Sequence, residues 1–158
     1  MPDINTYSVI LIVSGIVTAI LTILLYAKFK GVGKYAAYLM FLSALWAFCS
    51  GIGLVQKSLA SLLIVVKIVY FAIALFPAFW ILFIFKFLKR SQYFTGLKLT
   101  LLFLVPVITL LLVWTNEWHH LYYTEVQIQI FKHFSLLKFV KGPWYYVHTI
   151  YFYSCLVA

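Results

Sequence analysis

The sequence predicts an all-α integral membrane protein, a multi-span helical bundle carrying a small extracytoplasmic β-hairpin between its fourth and fifth spans. Three observations lead there. Of 158 residues, 66% are hydrophobic and only 9% are charged, where a soluble domain carries about 25% charged residues. The apolar residues gather in runs as long as the roughly 20 residues a helix needs to cross a bilayer core. The basic residues, which give a net charge of +9, fall mostly in short loops between those runs, a pattern that sets membrane topology rather than nucleic-acid binding.

The first span runs from about Ser8 to Ala27. No Lys or Arg precedes it, so it lacks the positive region of a cleavable signal peptide and reads as a permanent span. A loop with Lys28, Lys30 and Lys34 follows, then a second span from about Tyr35 to Val55. Gly15 and Ala19 on the first span, and Ser43, Ala47 and Gly51 on the second, stand four apart, the spacing that lets helices pack closely in lipid. The third run, about Leu59 to Leu88, is interrupted by Lys67, Pro77 and Lys86. After a loop at 89–96, the fourth span runs from about Leu97 to Thr115 and contains Pro106. Each internal proline removes a helical hydrogen bond and is expected to kink its helix, as a fixed bend or a hinge. A fifth span opens at Pro143 and is still running at Ala158. Sixteen residues are short of a full crossing, so a truncated span, 143–158, and a longer parent chain are expected.

Between the fourth and fifth spans, Asn116 to Gly142 is too polar to cross. Glu125 to Ile130 alternates polar and apolar residues strictly, the period of a strand with one apolar face. Leu136 to Val140 is its expected partner, with a turn near Lys132 to Ser135. A lone hairpin is marginal in water, so its Val126, Ile128 and Ile130 face is expected to rest on the bundle or the lipid interface. Basic residues then set the orientation. Lys28, Lys30, Lys34, Lys86, Lys89, Arg90 and Lys98 share one side, against Lys57, Lys132, Lys138 and Lys141 on the other. The richer side is expected to face the cytoplasm, with the N-terminus outside the cell membrane.

Catalytic chemistry is not expected. The three acidic residues lie outside the spans, and no paired carboxylates, metal-binding spacing, nucleophile elbow or phosphate loop is present. Neither a cofactor nor a metal is implied. Cys49 and Cys155 sit in apolar runs and read as buried small hydrophobes. Lys67 lies about 12 Å into its span, at about 1.5 Å per residue. It reads either as a lysine snorkelling to the outer face or as a cation paired with Glu117 or Glu125. His119, His120, His133 and His148 read as hydrogen-bonding groups or as titrating ones that respond to outside pH. Trp114, Trp118, Tyr122, Tyr123, Trp144, Tyr145 and Tyr146 form either an interfacial belt or the lining for a small apolar or amphipathic ligand.

Several of these residues recur in a fixed order. Lys67, Tyr70, Pro77, Trp80 and Phe83 lie in the third span and Pro106 in the fourth. Thr115, Asn116, His119 or His120, and Leu121 follow, then Gly142, Pro143, Trp144, His148 and Tyr151. This series, over residues 60 to 158, resembles the N-terminal seven-transmembrane sensor region of bacterial histidine kinases. The resemblance implies an outside N-terminus and a cytoplasmic output domain, usually a histidine kinase and in some relatives a diguanylate cyclase. It also implies a homodimer and an unknown small-molecule or membrane stimulus, acting here on Lys67, Tyr70, Asn116, His119, Trp144, His148 and Tyr151. The chain itself has no phosphoacceptor box or ATP-binding glycine motif, so it is expected to be a sensing part without enzyme activity. A small transporter or channel subunit and a membrane-integral enzyme subunit are the other classes this composition allows.

Overall fold

The computed structural model of the chain describes residues 5–131 and 134–157. Two long apolar helices come first, α1 (Thr6–Lys28) and α2 (Val32–Gly53), followed by α3 (Leu59–Phe87) and, after a 3-10 turn at Ser91–Tyr93, α4 (Gly96–Trp114). A single helical turn, α5 (Asn116–His119), leads into a hairpin of β1 (Tyr123–Ile130) and β2 (Ser135–Lys141), and α6 (Pro143–Val157) closes the described chain. Helices α1 to α4 are each long and apolar enough to cross a membrane, and the protein is a multi-pass membrane protein. Among the described residues α6 has 15, fewer than a crossing needs.

Helix α3 is the centre of the bundle, packing against α2, α4 and α6, while α1 packs chiefly on α2. Most apolar side chains of α1 point away from the protein, as a helix surrounded by lipid requires. The α1–α2 approach is as close as small residues permit. A Cβ on Gly15 would meet the Phe48 backbone, and one on Gly51 would meet the Ser8 carbonyl and Ile12. Of the expected small-residue stripe, Gly51 therefore lies in the contact, whereas Ser43 is exposed. Both Pro77 and Pro106 are buried within helices that continue past them.

The hairpin is antiparallel, pairing Val126 with Phe139 and Ile128 with Leu137, with an irregularity between Tyr123 and Glu125. It lies across one end of the bundle. At its far end Ser135 N–H donates to the Leu54 carbonyl beyond α2 (2.9 Å), and at its base Gly142 N–H donates to Tyr122 (2.8 Å). Val126 and Phe139 pack on the core cluster of Tyr70, Val113, Tyr122 and Tyr123. Of the face expected on the bundle or the lipid interface, Ile130 does not pack on the bundle and is 62% exposed. Lys132 and His133, placed near the turn and among the candidate polar groups, lie outside the described residues, as does Ala158. The turn of helix α5 went unanticipated in a segment read as a hairpin and loops.

Candidate functional site

Where α4 ends, its last carbonyls need partners, and the next few residues supply them. Thr115 Oγ1 donates to the Leu111 carbonyl (2.7 Å) and pairs with His119 Nε2 (3.0 Å). His119 Nδ1 accepts the Leu121 N–H (3.0 Å). An imidazole nitrogen that accepts carries no proton, so the ring proton sits on Nε2 and points at Thr115. His119 is thus the histidine that bonds the loop. His120 instead ends α5 in the left-handed conformation, at φ 52°, a region histidine enters more readily than most residues.

Asn116 is buried and uses both ends of its amide. Its Oδ1 accepts from Tyr122 N–H (2.9 Å) and Tyr123 N–H (3.2 Å), and its Nδ2 donates to the Tyr123 carbonyl (2.8 Å). Three backbone groups of the buried Tyr122 and Tyr123 are satisfied by one side chain. The result fixes Tyr122 within the buried cluster beneath the hairpin, edge-on to Tyr70 with ring centres 5.0 Å apart. Burial, then the neighbouring Tyr70, raises the Tyr122 hydroxyl well above the ordinary tyrosine range. Tyr123 is pushed up to about 12 by burial and then by the charge of Glu117.

Helix α6 is fastened to this loop from its first residue. Pro143 has no N–H to leave unpaired at the helix start. Before it, Gly142 lies so close to Leu121 that a Cβ would collide with the Leu121 carbonyl. That carbonyl accepts the Trp144 N–H (3.0 Å), and the Trp144 indole donates to Thr109 Oγ1 on α4 (2.9 Å). One turn on, His148 Nδ1 pairs with the Tyr122 hydroxyl (3.0 Å). Further along, Tyr151 Oη donates to the Leu102 carbonyl (2.8 Å). Leu102 is four residues before Pro106, so its carbonyl lacks the helical donor that any other residue at 106 would give. Tyr151 supplies the missing bond from the next helix.

Lys67 both reaches toward the helix end and pairs. Its ammonium contacts Glu117 Oε1 at 2.6 Å and the Trp114 carbonyl at 3.1 Å. Helical side chains lean toward the N-terminus, which for α3 is the hairpin end, and the last carbonyls of α4 favour a cation. Partial desolvation would raise the Glu117 carboxyl, but hydrogen bonds from Lys67 and from its own backbone, with the Lys67 charge, bring it below the ordinary carboxylate value. Glu125, the other partner considered, is exposed on β1.

The structure therefore joins five of the seven candidate residues, Tyr70, Asn116, His119, Trp144 and His148, through hydrogen bonds and ring contacts around Tyr122 and Leu121, with Lys67 beside them and Tyr151 further along α6 on the Leu102 carbonyl. Tyr122 itself is the residue the sequence reading missed as a hub, since a belt aromatic and a core aromatic look alike in sequence. Tyr122 and Tyr123 are buried, whereas Trp114, Trp118 and Tyr146 are exposed, so the belt reading does not hold for the first pair. The signal that singles out Tyr122 is its place immediately after the Thr-Asn-x-x-His-x-Leu segment that clamps it. A family model described as the N-terminal 7TM region of histidine kinase matches residues 10–158. No curated protein and no solved structure matches the chain.

Proposed function

Because the chain belongs to the family of N-terminal seven-transmembrane regions of histidine kinases, we propose that it is the signal-sensing membrane module of a bacterial two-component receptor. The hairpin end faces outside, with the N-terminus, and the lysine-rich loops face the cytoplasm. A cytoplasmic output domain, a histidine kinase or in the alternative a diguanylate cyclase, follows in the parent chain, which acts as a homodimer.

One observation carries this reading: the outer segment and α6 are one hydrogen-bonded unit. A stimulus that shifts the loop at 115–123 must also move Trp144 and His148, because Leu121 and Tyr122 hold them. Helix α6 then carries the shift toward the opposite face, where Tyr151 registers against α4. A stimulus acts by favouring one of two helix packings, which requires different affinity for each.

The test uses the full-length parent protein in lipid nanodiscs. Asn116→Ala, which loosens the loop around Tyr122, and Trp144→Phe, which frees the start of α6 from Thr109 on α4, are expected to change basal output activity several-fold at unchanged protein level. Output unaffected by both, in protein that is folded and inserted, would reject a sensing role for this segment.

A further inference from the structure

Beneath Tyr122 and Phe139, a cavity of about 390 Å³ lies between α2, α3 and α6. That volume is within the range of about 300–1,000 Å³ that holds drug-sized molecules. Its wall is apolar, with Leu42 and Trp46 from α2, Ile73 and Phe76 from α3, and Phe152 from α6. Among the described residues no charged one lines it, so a charged guest would be buried without compensation. At its rim, Trp46 and Tyr153 are 53% and 62% exposed, on the flank of the bundle rather than on its polar end.

Just behind this wall lies a buried polar atom without a partner. His148 is only 3% exposed, its Nδ1 is taken by Tyr122, and its Nε2 has no hydrogen-bond partner among the described residues. A buried ring nitrogen without a partner costs free energy that a guest with a matching group would recover. Nε2 donates or accepts according to which nitrogen holds the proton, and a hydroxyl group meets either case. Ile73, on the same wall, has a carbonyl that Pro77 cannot serve as helical donor.

From these features we propose that the cavity binds an uncharged, membrane-soluble amphiphile with an apolar body and a single hydroxyl, the hydroxyl meeting His148 Nε2 once the side chains that close over that nitrogen shift aside. The guest enters sideways from the bilayer past Trp46 and Tyr153. Its position is suited to bias the helix packing, since it touches Tyr122, the hub of the outer loop, and both α3 and α6. That this amphiphile is the stimulus rests on the sensing role proposed above; that it binds does not.

The full-length parent protein in nanodiscs is labelled with a diazirine-bearing decanol, and cross-links are mapped by mass spectrometry. Cross-links are expected at Trp46, Ile73, Phe76 and Phe152, competed by n-decanol roughly 2- to 10-fold better than by n-decane, the ratio one hydrogen bond supplies. His148→Phe is expected to abolish that preference and His148→Gln to keep it. Should the phenylalanine variant not fold, the wild-type protein labelled with 15N-histidine gives the same reading: decanol shifts the His148 Nε2 resonance and decane does not. Cross-links spread over the lipid-facing sides of α1 and α4, or none because another helix or an acyl chain covers the cavity, would overturn the site. Specific labelling without any change in output would overturn the stimulus role. In either case the output changes of Asn116→Ala and Trp144→Phe would persist, whereas a failed sensing role would abolish those as well.

Discussion

At Gly142 the chain has no room for a side chain, because a Cβ there runs into the carbonyl of Leu121 that also holds Trp144. Gly142→Ala is expected to cost about 1–3 kcal/mol, the usual penalty of forcing a group into a packed site. Thermal unfolding in detergent measures it, and an unchanged midpoint would mean the loop yields freely. The Lys67–Glu117 pair is a smaller effect. Its lysine is 16% and its glutamate 50% exposed, so a coupling of about 0.2–1 kcal/mol is expected from a double-mutant cycle of Lys67→Met and Glu117→Gln. Glu117 titrates lower in the folded protein than its ordinary 4.5. The coupling is therefore complete above that value and disappears as pH falls through the lower folded one. A coupling that instead grew on acidification would show the pair to be wrong. The sequence made this contact half legible: the leaning of helical side chains pointed Lys67 to the hairpin end, but three-dimensional proximity was needed to choose Glu117 over Glu125.

Between elements, the α4–α6 contact turns on a proline in one helix and a tyrosine in the other. Tyr151→Phe leaves the Leu102 carbonyl without any donor as long as residue 106 is proline. Pro106→Ala restores the helical N–H, so the tyrosine hydroxyl becomes dispensable. The expected signature is a cost for Tyr151→Phe that shrinks by roughly 0.5–1.5 kcal/mol in the Pro106→Ala background, the range of interhelical hydrogen bonds in membranes. Equal costs in both backgrounds would separate the two residues. Such elements were legible in unequal degree. Four long helices stand out in the sequence because lipid demands continuous apolar runs, and the hairpin because Glu125 to Ile130 alternates strictly. The hairpin's seating was not legible: period two assigns Val126, Ile128 and Ile130 to one face but does not say that the bundle ends before Ile130. Nor does an asparagine in a polar stretch announce that its amide will clamp Tyr122 and Tyr123.

Across the whole molecule, the two ends of the bundle differ in charge and in structure. The end bearing α5 and the hairpin carries Glu117 and Glu125 alongside Lys57, Lys67, Lys138 and Lys141. Toward the opposite end, Lys28, Lys30, Lys34, Lys86, Lys89, Arg90 and Lys98 cluster at the ends of α1 to α4 with no acidic residue among them. Lysine and arginine close to span ends in short loops resist translocation, whereas acidic residues contribute little, so the second end is expected to stay in the cytoplasm. The described cysteines are buried and free, which keeps background low in a labelling experiment with single introduced cysteines. In intact cells, an impermeant maleimide is expected to label Lys138→Cys readily and to reach Gln92→Cys or Lys30→Cys only after permeabilisation. The reverse pattern would place the hairpin, the Tyr122 network and the start of α6 inside. A signal arriving from outside would then meet the lysine-rich turns first, and the coupling of outer loop to α6 would run in the wrong direction for a receptor.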